Sequence, residues 1–128
     1  MDQISNFINQ LKLAGRVQKE YILTPFSKVK LAIAKLLERE GYVASVEKAE
    51  VNNHPYIRIN LMYKGRESRI HDIERVSHSS QRVYAQVKEL RSYKYGVGMT
   101  VLTTPKGVMG EKEARKEMVG GEILFRIW

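Results

Sequence analysis

Cysteine is absent from this chain of 128 residues, proline occurs only three times and tryptophan once. Without cysteine, disulfide bonds and thiolate metal sites are excluded. No apolar run approaches the length that crosses a bilayer, and the N-terminus lacks a basic segment followed by an apolar one. We therefore expect no membrane partner and a cytoplasmic location.

Charge is strongly one-sided, with 22 Lys and Arg against 14 Asp and Glu and a formal net charge of +8. Residues 1–64 carry ten basic and six acidic side chains, and residues 65–128 carry twelve and eight. Because the excess is even, it is not a basic tail but indicates a folded surface that faces a polyanion such as nucleic acid. A basic soluble protein without such a partner is the alternative that charge alone leaves open.

The first half of the chain alternates helix and strand signals. Apolar residues at helical spacing predict a first helix, with Asp2 as its cap and Gly15 at its end. A short strand over residues 21–23 precedes Thr24-Pro25, which predicts the N-cap and first residue of a second helix. The apolar face of this helix comprises Val29, Ala32, Ile33, Leu36 and Leu37, and Gly41 closes it.

The sequence next predicts a hairpin, with strands at residues 43–51 and 56–63 around a turn at residues 52–55. Lys64-Gly65-Arg66 is the best boundary between two units, because it is polar and separates a helix-containing half from a strand-rich half. We predict an α+β fold of two small α/β units. An α-β-α-β-β unit spans residues 1–64, and a strand-rich unit with one short helix spans residues 65–128.

The segment from Gly98 to Trp128 is the most informative part of the sequence. Alternation around Val101 predicts a half-buried strand that ends in a turn at residues 103–107. This turn presents two hydroxyls and one ammonium, and it is expected to lead into a helix over residues 111–118 that Gly120-Gly121 stop. Such a turn has the groups needed to hold a phosphate backbone.

The same segment closely resembles a known family. The order of Gly98, Val101-Leu102, Thr103-Thr104, Gly107, Val108-Met109 and Ala114-Arg115, continued by Gly120-Gly121-Glu122-Ile123, looks like the signature of small-subunit ribosomal protein eight, bacterial type. The resemblance recurs at Pro25-Phe26-Ser27-Lys28-Val29-Lys30, at Arg75-Val76-Ser77 and at Arg82-Val83-Tyr84, and so covers nearly the whole chain.

The resemblance implies binding to the central domain of the small-subunit ribosomal RNA, help in assembling the platform, neighbouring ribosomal proteins as partners, and repression of the protein's own messenger. It gives the turn an RNA-binding role through Thr103, Thr104, Lys106 and Gly107. Family members usually have Ser-Thr-Ser here, so Pro105 replaces a residue with a hydroxyl and an N–H group. Without the resemblance, an ordinary polar turn is the alternative.

Further site residues combine residue chemistry with the same resemblance. Arg82 and Tyr84 are two apart on a predicted strand, where a guanidinium can pair with phosphate and a ring can stack on a base. Ser27, Lys28 and Lys30, at the start of the second helix, favour an anion. Glu122 can accept from a guanine edge. The alternative for Tyr84 is a rim residue of the core. For the start of the second helix it is a solvated first turn, and for Glu122 it is a solvated carboxylate.

The sequence offers little support for catalysis. His54, His71 and His78 lack metal-ligand spacing, and no nucleophile elbow surrounds Ser79. We therefore predict a non-enzymatic RNA-binding constituent of the small ribosomal subunit without a cofactor. A free-standing RNA-binding module that represses messenger translation is the alternative function.

Overall fold

A computed structural model describes residues 3–91 and 97–128 of the chain. Within them, contacts divide the chain into unit 1, residues 3–71, and unit 2, residues 72–128. Both units mix helices with antiparallel sheets, which confirms the predicted α+β class. The predicted boundary at residues 64 and 65 remains a prediction, and Asp2 lies outside the described residues.

Unit 1 follows the predicted α-β-α-β-β order and ends in a small hairpin. Its elements are α1 (Gln3–Arg16), β1 (Tyr21–Pro25), α2 (Lys28–Arg39), β2 (Val43–Val51), β3 (His54–Leu61), β4 (Tyr63–Lys64) and β5 (Glu67–Ser68). The sheet order is β1-β3-β2, and β4 pairs with β5. One face of the three-stranded sheet is buried, and α1 and α2 supply further buried apolar residues.

Three sequence predictions about unit 1 are wrong in detail. Helix α1 continues past Gly15 to Arg16. Gly15 is instead a close-packing position, since an added Cβ would lie 2.8 Å from the Ser68 hydroxyl oxygen. Ser27, rather than Thr24, is the N-cap of α2, since its hydroxyl accepts from the Lys30 N–H at 3.5 Å. Val29 is 45% exposed, and buried residues of α2 include Ile33, Ala34, Leu36 and Leu37.

The hairpin of unit 1 has a tighter turn than predicted. Asn52 and Asn53 have φ values of 50° and 64°, and strand β3 already begins at His54. Two consecutive residues with positive φ match the twist of the flanking strands, and asparagine tolerates this conformation well.

Unit 2 is built around a sheet of five strands. Its elements are β6 (Ile73–Arg75), β7 (Tyr84–Ala85), a 3-10 turn (Val87–Glu89), β8 (Met99–Thr104), β9 (Gly107–Gly110), α3 (Glu111–Glu117) and β10 (Gly121–Ile127). The order is β6-β10-β8-β9, with β7 also paired to β10. The core under this sheet contains Leu90, Leu102, Met109, Ala114 and Ile123.

The predicted half-buried strand is in fact buried on both faces. Residues 99–102 of β8 are all buried, and β8 is a central strand that pairs with β10 on one side and β9 on the other. The turn after β8 does not enter a helix directly, since β9 pairs with β8 before α3 begins. The segment is therefore a hairpin followed by a short helix.

Candidate nucleic-acid interface

Three neighbouring strands of unit 2 place Tyr84, Glu122 and Thr103 in one row. Glu122 of β10 is the register partner of Tyr84 on β7 and of Thr103 on β8. Directly opposed residues of antiparallel strands project from the same face of a sheet. The next pair, Ile123 and Leu102, points to the opposite face and belongs to the core. The row thus joins side chains from three separate stretches of sequence.

An ion pair extends this row. The Arg82 Nη1 group donates to the two carboxylate oxygens of Glu122 at 3.3 and 3.4 Å. The Glu122 side chain is only 10% exposed, whereas that of Arg82 is 56% exposed. Among the described residues, Arg82 is thus the cationic partner of the nearly buried Glu122 carboxylate, and a buried carboxylate without such a partner is energetically costly. The Arg82 side chain is thus partly open to solvent, and Tyr84, two residues further along the chain, is 67% exposed.

Ser77 fixes the backbone of the segment that carries Arg82 and Tyr84. It is fully buried, and its hydroxyl accepts from the Val83 N–H at 2.8 Å and donates to the Val83 carbonyl at 3.3 Å. Mutual backbone hydrogen bonds between His78 and Gln81 close the loop. The sequence singles out Ser77 only within the stretch Arg75-Val76-Ser77 and does not indicate this role, because only the fold brings Ser77 and Val83 together.

The β8–β9 hairpin ends in the two-residue turn Pro105-Lys106. The Thr104 hydroxyl donates to the Gly107 carbonyl at 2.8 Å and accepts from the Lys106 N–H at 3.1 Å. A hydroxyl has one donor and two acceptor positions, so Thr104 keeps one acceptor free in this arrangement. Gly107 has a φ of +119°, which favours glycine.

The remaining groups of the turn differ in what they can offer. Among the described residues, the Thr103 hydroxyl has no intramolecular partner, so it can both donate and accept. The Lys106 ammonium lies 3.2 Å from a Glu117 carboxylate oxygen, and both side chains are about half exposed. An exposed pair of this kind contributes about 1 kcal/mol at most. Lys106 can therefore exchange Glu117 for a phosphate at little cost.

Gly120 and Gly121 have a different role from the predicted one of stopping α3. The helix ends at Met118, which adopts the left-handed conformation with a φ of 57°. A Cβ on Gly121 would overlap the Thr103 carbonyl oxygen and lie 3.1 Å from the Thr104 Cα. Gly121 therefore lets the start of β10 pass close to the hairpin, and Gly120 lets it pass close to the Ala85 carbonyl, which together set Glu122 in the row.

The predicted contacts of unit 1 have unequal surroundings. The Lys30 side chain is buried, and its ammonium donates to the Thr24 hydroxyl at 3.1 Å and to the Pro25 carbonyl at 3.5 Å. Ser27 caps α2. Lys28 is exposed. Of the two lysines, only Lys28 therefore presents a solvent-facing ammonium.

No group of three or more His, Cys, Asp or Glu side chains that could hold a metal ion occurs among residues 3–91 and 97–128. In the same part of the chain, no helix is both long and apolar enough to cross a membrane.

Comparison with known proteins points to one family. Residues 2–128 match the family model described as ribosomal protein S8. A small ribosomal subunit protein uS8 from Thermus aquaticus is 40% identical, covering 99% of this chain and 98% of the relative. Proteins of the same name from Thermotoga sp. strain RQ2 and Chlorobium limicola are 40% and 41% identical, with 99% of this chain covered and 98% and 97% of the relatives.

Proposed function

This chain belongs to the ribosomal protein S8 family, and we propose that it binds the central domain of the small-subunit ribosomal RNA and assists assembly of the platform. Membership confirms the predicted structural, non-enzymatic role in the small ribosomal subunit and the predicted place in the cytoplasmic ribosome. Beyond family membership, we propose which region of the RNA is bound, that the protein assists platform assembly and which residues make the contacts.

The observation that carries the proposal is the row of Tyr84, Glu122 and Thr103, extended by Arg82 and adjoining the hairpin tip. This surface combines an exposed ring, an exposed guanidinium, two hydroxyls and an ammonium within one unit. Specific RNA recognition uses stacking of bases on aromatic rings, together with hydrogen bonds to base edges and 2′-hydroxyls. The surface offers each of these contacts.

Each side chain has a role that follows from its surroundings. Tyr84 would stack on a base or ribose, and Arg82 would pair with phosphate from the outer side of its guanidinium. Thr103 would donate to the RNA, whereas Thr104 would accept from a 2′-hydroxyl or an amino group, because its proton is used by Gly107. Glu122 would act mainly by orienting Arg82.

The hairpin tip would supply the remaining contacts of this surface. Lys106 would leave Glu117 for a backbone phosphate. Gly107, exposed and without a side chain, would let the RNA approach the turn closely.

Unit 1 would add contacts that carry little sequence information. Lys28 and the Ser27 cap at the start of α2 would meet a phosphate, as predicted from the sequence. The ammonium of Lys30, already bonded within the fold, would contribute by joining α2 to the end of β1.

Competition binding tests the proposal. The protein should form a magnesium-dependent complex with a central-domain RNA fragment that survives excess non-specific RNA. Thr104→Ala should weaken this complex by about 1–3 kcal/mol while changing non-specific binding little, and Thr104→Ser, which keeps the hydroxyl, should retain most of the affinity. Equal binding of the wild-type protein to any duplex would instead support a general RNA-binding module.

The same surface would bind a hairpin in the protein's own messenger that imitates the ribosomal site. The central-domain fragment should then compete with the messenger hairpin for one site, and Thr104→Ala should weaken both complexes to a similar degree. Simultaneous binding of both RNAs would contradict a shared surface.

A further inference from the structure

A cationic pocket outside the proposed interface lies within unit 1, between α1 and the β4–β5 hairpin. It has a volume of about 300 Å³, and its lining includes Lys12, Arg16, Arg66, Glu67, Ser68 and His71. Three of these six side chains are Lys or Arg, against one carboxylate. The volume is at the lower end of the roughly 300–1,000 Å³ of small-molecule sites, which suits a compact anion.

Close packing between helix and hairpin builds the pocket. Lys12 and Arg16 are four residues apart on α1, so they lie on one face of the helix. Gly15 of α1 is buried where the helix meets the hairpin, and a Cβ on Gly15 would lie 2.8 Å from the Ser68 hydroxyl oxygen. The missing side chain therefore lets the hairpin approach α1.

Hydrogen bonds hold the hairpin in this position. The Tyr63 hydroxyl lies 2.5 Å from the Lys19 carbonyl and 3.4 Å from the Ala14 carbonyl, to which it can donate. The Gln18 side chain donates to the Arg66 carbonyl at 3.0 Å. Burial also raises the pKa of Tyr63 above its ordinary value of 10.0. The walls of the pocket are thus fixed before any ligand arrives.

The charges of the pocket are not balanced by its own carboxylate. Glu67 lies 3.5 Å from the Nδ1 atom of His71. Within the described part of the chain, the guanidinium groups of Arg16 and Arg66 have no carboxylate partner. The dipole of α1 favours Arg16 near the C-terminal end of the helix, but it offers no such reason for Arg66. Two unneutralised guanidinium groups at one small pocket point to an anionic ligand.

We propose that this pocket binds a phosphodiester group of the RNA backbone, with Arg16 and Arg66 as the principal contacts. Guanidinium groups match the geometry of phosphate oxygens and keep their charge at every physiological pH. The contact is sequence-independent and anchors unit 1 on the RNA. The nature of the ligand as RNA rests on the proposed function, but the pocket is separate from the residues assigned to it.

Salt-dependent binding tests the pocket. Arg16→Gln/Arg66→Gln is compared with Lys48→Gln/Lys88→Gln, which removes the same charge from two exposed lysines outside the pocket. For the pocket variant, the slope of log K against log salt on the central-domain fragment should become shallower by about 2. Its preference for this fragment over non-specific RNA should stay at the wild-type value. The control should change the slope by much less.

An unchanged slope in the pocket variant, or an equal change in the control, would overturn the pocket assignment. Both variants should melt close to the wild-type temperature, because all four replaced side chains are exposed. Inorganic phosphate at constant ionic strength should leave the wild-type melting temperature unchanged. A rise that the pocket variant lacks would show a free-phosphate site and contradict the assignment to RNA backbone.

This test separates the two proposals. If the pocket variant has the same salt slope as the wild-type protein, while the wild-type protein still prefers the central-domain fragment, the pocket alone is refuted. Absence of that preference in the wild-type protein would refute the proposed function, while the slope difference would still be measurable on non-specific RNA.

Discussion

The ion pair between Arg82 and Glu122 allows the sharpest test of how the interface is built. Removal of the Arg82 side chain takes away the cationic partner of Glu122, whose side chain is only 10% exposed. Replacement of Glu122 by glutamine keeps the shape of the side chain but removes its charge. Arg82→Ala, Glu122→Gln and the double variant therefore form a cycle that isolates the interaction.

The expected magnitude lies between two limits. Breaking a fully buried ion pair costs about 3–5 kcal/mol, and breaking an exposed one about 0–1 kcal/mol. Because the carboxylate is nearly buried but the Arg82 side chain is 56% exposed, we expect Arg82→Ala to lower the free energy of unfolding by about 1–2 kcal/mol. Adding Glu122→Gln should restore roughly 1 kcal/mol of this loss, because no unpaired charge then remains.

Urea unfolding at neutral pH gives the stabilities, and titration with the central-domain fragment gives the affinities. If Glu122 acts by orienting Arg82, Glu122→Gln should weaken RNA binding in the wild-type background and have little effect in Arg82→Ala. Additive stability changes, with a coupling below about 0.3 kcal/mol, would refute the energetic reasoning. Additive losses of affinity would show that Glu122 contacts the RNA by itself.

Three further predictions concern the framework of the two units. Tyr63→Phe should lower the free energy of urea unfolding by about 1 kcal/mol. Because burial raises the Tyr63 pKa above its ordinary 10.0, the unfolded chain releases this proton first, so the stability of the wild-type protein should fall as pH rises past 10 and that of the variant should fall less steeply. Parallel curves of stability against pH for the two proteins would contradict the buried position of the Tyr63 hydroxyl. Gly121→Ala should destabilise the protein by about 1–3 kcal/mol, because the new methyl group overlaps the Thr103 carbonyl, and a cost near zero would refute that contact. Ser77→Ala should leave the Val83 N–H without its partner and cost about 1–3 kcal/mol in urea unfolding, while an unchanged urea midpoint would show that another group replaces the hydroxyl.

Much of the element order could be predicted from local patterns. The hydrophobic period of α2 and the strands on either side of Asn52-Asn53 depend on nearby residues, so the sequence indicates them directly. The start of α2 was misplaced because Thr24-Pro25 and Ser27 are both acceptable start signals. The pairing of Pro25 with Tyr56 in the sheet decides for Ser27, and this pairing is not local.

In the candidate site, too, local sequence indicates individual residues but not how the fold brings them together. Chemistry and family resemblance single out Thr103, Tyr84 and Glu122 separately, but only strand register places them in one row. The sequence likewise gives no sign that the Lys30 ammonium is buried against Thr24. Arg66 reads as part of a polar linker, although the hairpin places it beside α1 at the cationic pocket. Contacts across the fold therefore decide which charged residues remain open to a ligand.

Hydroxyl-radical footprinting of the purified protein on full-length small-subunit RNA tests the central claim most directly. We predict a compact set of protections within the central domain that persists with excess competitor RNA and weakens in Thr104→Ala but not in Thr104→Ser. Protections spread over the whole RNA, or a discrete footprint in another domain, would contradict the account.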